Sequence, residues 1–159
     1  MAKQVKTNAM RILDKNKISY ELLSYECDDF IDGLHTAAKT GAPIEQSFKT
    51  LVAQGKSKAY YVFVVPIAEE VDLKLAAKVA GEKSIEMIHV KDITAVTGYV
   101  RGGCTPIGMK KQFPTFIQES ALQYDQIYVS GGRIGYTLKL NPQDLATLVR
   151  AKFADFIVR

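Results

Sequence analysis

Of 159 residues only two are cysteine and two histidine, so the sequence is short of the side chains from which metal centres, disulfide frameworks and thiol or imidazole catalysis are built. Cys27, His35, His89 and Cys104 show no ligand spacing, which predicts no metal site and no cofactor held by one. With no secretory segment, the two cysteines read as free thiols. No apolar run approaches the roughly 20 residues needed to cross a bilayer, and no hydrophobic segment follows the lysines of MAKQVKTNAM. The expectation is a cytoplasmic chain with no membrane contact. Repeats, linkers and low-complexity segments are also missing, so residues 1–159 are expected to form one domain. GGCTPIGMK lacks the GK[ST] step of a P-loop. The carboxylates of Asp28-Asp29 and Glu69-Glu70 are sequence neighbours, which do not face one another on regular elements, and they read as solvated loop ends.

What is present has a pattern. The hydrophobic content of 47% and charged content of 24% suit an ordinary globule. Residues 1–97 balance 13 Lys+Arg against 13 Asp+Glu, whereas residues 98–159 carry 8 against 4, so the whole net charge of +4 lies in the C-terminal part. Seven of the eleven glycines fall between Gly98 and Gly135. A basic excess can attract a polyanion or simply be solvated. Two double-glycine loops can present N–H groups to an oxyanion or simply turn the chain.

Hydrophobic periodicity predicts helices over 5–15, 33–40, 72–81, 92–98 and 141–153, with one further turn over 44–47. Asp72 and Gly81 cap the third of these, Asp92 starts the fourth, and Asn141-Pro142 open the last. Strands are predicted over 18–26, 47–55, 59–66, 85–90, 115–120, 127–132 and 134–140, the second and third forming a hairpin through Gly55–Lys58. Helices and strands interleave without a regular βαβ repeat. The fold class predicted is therefore α+β, a mixed and largely antiparallel sheet flanked by helices.

Three side chains invite chemistry. Cys104, within GGCTPIG, is either a nucleophile or a small thiol packed under a turn, and neither histidine is tied to it by a motif. His89 falls in an apolar strand pattern and reads as structural; His35 reads as surface. Lys49, between Phe48 and Leu51, either faces a cleft or lies outward at an edge. Tyr20 is core filler or the wall of a pocket.

In combination, NKISYELLSYE, FKTLV, VDLKLAAKVAG, GYVRGGCTPIGMKK and IYVSGGRIGYTLKL, in this order from about residue 5 to 155, resemble the YbaK/ProX-type family of trans-editing aminoacyl-tRNA deacylases. The resemblance implies a curved, partly closed mixed sheet related to the editing insertion of prolyl-tRNA synthetases, and no cofactor. It implies hydrolysis of the ester of mischarged tRNA, Cys-tRNA(Pro) first and Ala-tRNA(Pro) as the nearest variant. A non-catalytic tRNA- or synthetase-binding module is the reading from another class. Residue by residue, Lys49 takes the place of the family's functional lysine, and Gly102 and Gly103 match the GG of the loop before proline. Tyr20, Phe30, Ser130, Gly131 and Gly132 match pocket positions. Thr137 stands where many cysteine-specific members carry aspartate. Arg101, Lys110, Lys111 and Arg133 would extend a phosphate track for the tRNA acceptor end, with prolyl-tRNA synthetase as a further partner. On this reading Cys104 is a bystander.

Overall fold

Helix α1 (Asn8–Lys15) begins where the Thr7 hydroxyl accepts a hydrogen bond from the Met10 amide at 3.2 Å, and it buries Ala9, Met10 and Leu13. It belongs to a computed structural model that describes residues 6–24 and 41–159. The expected helix over 33–40, Phe30, Cys27 and His35 lie outside the described residues.

Among the described residues, strand β1 (Tyr20–Ser24) is followed by a 3-10 turn, Ile44–Gln46, and then by the hairpin of β2 (Phe48–Gly55) and β3 (Tyr60–Pro66). Helix α2 (Leu73–Ala80) is bounded as its sequence requires. The Asp72 carboxylate accepts from the Lys74 and Leu75 amides, and Gly81 stops the helix at φ 76°, a conformation cheap only for glycine. Short β4 (Ile85–Met87) and α3 (Ile93–Thr97) precede a long loop, β5 (Thr115–Gln118), β6 (Ile127–Ser130) and β7 (Tyr136–Leu140). Asn141 caps α4 (Pro142–Val149), and β8 (Lys152–Ala154) closes the order.

Hydrogen bonding divides the strands into a three-stranded sheet, β1-β7-β6, and a five-stranded sheet, β4-β2-β3-β5-β8. The pairs β3–β5 and β5–β8 are parallel and the other four antiparallel, so the arrangement is mixed and largely antiparallel. A parallel bridge between Ser47 and Tyr128 joins the two sheets.

Helices α1 and α4 pack with Phe48, Val64, Ile117, Val129, Leu138 and Leu140 on one side. On the other side of the larger sheet, α2 and Phe156 cover Ala53, Phe63, Val65 and Phe116. Phe63 stacks on Phe116 at 5.5 Å and meets Phe156 edge-on at 5.0 Å. Each fully buried phenylalanine contributes about 1.5–3 kcal/mol by leaving water. A third group, Val52, Val62 and Phe113, receives Cys104.

Several boundaries differ from the sequence reading. The closing helix ends at Val149 because Arg150 turns left-handed at φ 57°, and the chain then forms β8 beside β5. The strand expected over 85–90 stops at Met87; His89 is exposed and starts a 3-10 turn. Asp92 gives α3 no side-chain cap. From Glu119 the fifth strand passes into a 3-10 helix.

Candidate active site

Strand alternation sorts the candidate residues onto two faces. Phe48 of β2, Val129 of β6 and Leu138 of β7 all enter the core beside α1, together with Leu22 of β1. Their alternates, Lys49, Ser130, Thr137 and Leu23, therefore share the opposite face. Register aligns them: Ser130 pairs with Thr137, and Thr137 pairs with Leu23. An isolated parallel bridge joins Ser47 to Tyr128, so Lys49 and Ser130 each lie two residues beyond it, on either side of the seam between the sheets. Lys49 is half-buried, its backbone pairs with Val65 in the β2–β3 ladder, and its ammonium has no hydrogen bond or ion pair among the described residues.

Tyr20 is not part of this row. It lies two residues from Leu22 on the face packed against α1, and its hydroxyl is raised above the usual tyrosine range by burial and by the Asp14 carboxylate. Asp14 in turn is ion-paired with Lys6. Tyr20 is partly buried against the core beside α1.

Two glycine loops meet beside the hairpin that carries Ser130 and Thr137. Val100, Arg101, Gly102 and Gly103 form a tight turn in which the Gly103 amide donates to the Val100 carbonyl at 2.9 Å and Gly102 has φ 88°. Gly103 is thus not an available donor, which corrects half of the expected amide pair. The amides of Gly102 and Cys104 form no hydrogen bond to another described residue. Gly103 instead allows contact. A Cβ there would lie 3.1 Å from Arg133 Cα, so the turn rests on the backbone of the hairpin that carries Ser130 and Thr137. In that hairpin the Gly131 amide donates to the Tyr136 carbonyl at 2.8 Å and the Gly132 amide to Ser130 Oγ at 3.3 Å. Ser130 Oγ therefore receives one hydrogen bond and keeps its own proton to donate.

The 98–113 loop is held firmly. The Tyr99 hydroxyl donates to the Ile107 carbonyl, and the Lys110 amide to the Thr97 carbonyl at 2.9 Å. Cys104 lies under it among Val52, Val62 and Met109, and burial pushes its thiol up to about 11, the opposite of what a nucleophile needs. Among the cations, Arg101 and exposed Arg133 stand at the junction of the turns, and the Arg133 guanidinium lies 5.5 Å above the Tyr136 ring. Lys110 leans back on α3, its Nζ 3.4 Å from the Ala95 carbonyl, so it is not brought to that junction; Lys111 is exposed. Sequence reasoning missed Leu23, the Cys104 amide and Thr7, whose hydroxyl donates to the Gly131 carbonyl at 2.6 Å. The strand pattern around Leu23 and the cap position of Thr7 were the available signals.

Among the described residues no group of His, Cys, Asp and Glu is placed to hold a metal ion, and no helix is long and apolar enough to cross a membrane.

Residues 34–148 match the family model of the aminoacyl-tRNA editing domain. A curated protein of Enterococcus faecalis named for Cys-tRNA(Pro)/Cys-tRNA(Cys) deacylase activity, EbsC, is 42% identical over 157 residues, 98% of this chain and 96% of that protein. Among solved structures, one described as a trans-editing enzyme for prolyl tRNA synthetase superposes with TM-score 0.84 at 22% identity, covering 98% of this chain and 100% of the other. The hypothetical protein APE2540 gives TM-score 0.87 at 20% identity over 96% and 100% of the two chains. These two likenesses bear on the fold, which they share with the α+β arrangement described above. By family match and by full-length relative, the chain belongs to the aminoacyl-tRNA editing domain family.

Proposed function

We propose that the chain, acting as one domain over residues 1–159, is a deacylase that cleaves the ester of mischarged aminoacyl-tRNA, Cys-tRNA(Pro) foremost, without a nucleophile of its own. The observation that carries this reading is a half-buried lysine on the strand face that alternates with Phe48, as Ser130 and Thr137 alternate with Val129 and Leu138, together with a glycine turn that rests on the Ser130–Thr137 hairpin and whose Gly102 and Cys104 amides have no partner among the described residues. The named activity of the 42% identical relative supports the substrate.

The aminoacyl ester is already activated, so the protein's work is to hold it and to receive charge on its carbonyl oxygen. The amides of Gly102 and Cys104 are the donors for that oxygen. Lys49 anchors the terminal adenosine or its phosphate, a compact cation suited to the contact. With cysteine as the acyl group, the substrate's thiol attacks the ester carbonyl and the bond to the ribose oxygen breaks. The thiol proton ends on that ribose oxygen, and water then opens the four-membered thiolactone to free cysteine. Ser130, Gly131, Gly132 and Thr137 border the aminoacyl group; Arg101 and Arg133 meet the phosphates, and Lys111 extends the track. Prolyl-tRNA synthetase is the partner that delivers the tRNA, and the cytoplasm is the place of action.

A second reading is deacylation of Ala-tRNA(Pro) by water. It is favoured by the uncharged Ser130–Thr137 wall, which offers no carboxylate to a substrate thiol. A panel of mischarged tRNAs decides between them. Rapid release of cysteine with slow release of alanine supports the first reading, and the reverse order supports the second.

A further inference from the structure

We infer that Thr7 is a positioning residue for the site, a lock that fixes the peptide group between Gly131 and Gly132 and through it the Ser130 hydroxyl; this rests on the deacylase reading given above. The carbonyl of Gly131 and the amide of Gly132 belong to one peptide plane. Thr7 Oγ1 donates to the carbonyl end at 2.6 Å, while the amide end donates to Ser130 Oγ at 3.3 Å. Rotation of that plane would carry the N–H away from Ser130.

A peptide between two glycines rotates readily, because neither flanking residue has a Cβ to resist a change of φ or ψ. Gly132 already sits at φ 92°. What opposes rotation is therefore external. The N-cap Thr7 and Ala9 of α1 crowd Gly132, their Cβ atoms 3.6 and 3.5 Å from where a Gly132 Cβ would be, and Tyr99 Cε1 lies 3.3 Å from the same point. Tyr99 belongs to the loop that carries Gly102, and Asn8, the residue after Thr7, donates to the Gly108 carbonyl of the same loop at 3.4 Å. The N-terminus of α1 thus binds both glycine loops, and a single hydroxyl holds the turn that faces Ser130.

The same hydroxyl also caps α1, so loss of the cap must be separated from loss of the lock. Thr7→Asp separates them. Aspartate is a good N-cap acceptor, but as a carboxylate it cannot donate to the Gly131 carbonyl and repels it. Thr7→Ser retains both functions. The measurements are the thermal midpoint, steady-state deacylation of Cys-tRNA(Pro), and hydrogen exchange of the Gly132 amide by NMR. Expected for Thr7→Asp are a folded protein, kcat lowered by about tenfold to a hundredfold with KM little changed, and exchange at Gly132 at least about tenfold faster, while Thr7→Ser restores all three.

Wild-type kcat and unchanged Gly132 protection in Thr7→Asp would overturn the lock, as would a Thr7→Ser variant equally impaired. If the wild-type protein releases no amino acid from any mischarged tRNA, the functional reading fails, and the exchange at Gly132 decides the lock alone: acceleration in Thr7→Asp supports it and unchanged protection overturns it.

Discussion

Gly103 rests directly on the backbone of Arg133, close enough that a single added methyl group would sit 3.1 Å from Arg133 Cα and 3.2 Å from its carbonyl carbon and nitrogen. Backbone cannot move aside as a flexible side chain can. Gly103→Ala is therefore expected to cost about 1–3 kcal/mol and to part the two turns. Denaturant unfolding and deacylation rate check this together. Wild-type values for both would mean that the contact between the loops is unimportant.

Cys104 gives a prediction in the opposite direction. With its thiol pushed up to about 11, roughly one molecule in a thousand carries a thiolate at pH 8. Alkylation of Cys104 in the folded protein is expected to be slow until the solution is strongly alkaline. The folded thiol keeps its proton where an unfolded one releases it, so this group favours folding fully below the ordinary thiol range, and that contribution declines as pH rises from there toward 11. Cys104→Ala leaves deacylation intact and destabilises by about 1 kcal/mol through lost packing.

Arg133 tests the electrostatic surface. Its guanidinium covers the Tyr136 ring, an arrangement contributing about 0.5–1 kcal/mol, so Arg133→Ala is slightly destabilising. If Arg133 meets a phosphate, the variant lowers the slope of log K for tRNA against log salt by about 0.7–0.9. An unchanged slope would remove it from the interface.

The limits of sequence reading show at particular residues. Helix α2 was legible because Asp72 and Gly81 mark its ends by local chemistry alone. The end of α4 was not, since the left-handed residue there is Arg150 and AKFADF carries no turn signal; β8 exists because β5 offers it an edge. The site divides in the same way. Lys49 and the glycines stand out in sequence, yet which face a strand residue takes depends on cross-strand register. That is why Tyr20, in a strand expected over 18–26 and found over Tyr20–Ser24, packs toward α1 while Leu23, three residues on, pairs with Thr137 on the other face. The engagement of the Gly103 amide was equally invisible, because it depends on closure of the turn from Val100.

The most direct measurement is release of cysteine from Cys-tRNA(Pro) by Lys49→Ala. Because Lys49 is half-buried and has no ion pair among the described residues, the variant is expected to fold with stability within about 1 kcal/mol of wild type while its kcat/KM falls at least about a hundredfold. A folded Lys49→Ala protein that deacylates at the wild-type rate would contradict the account.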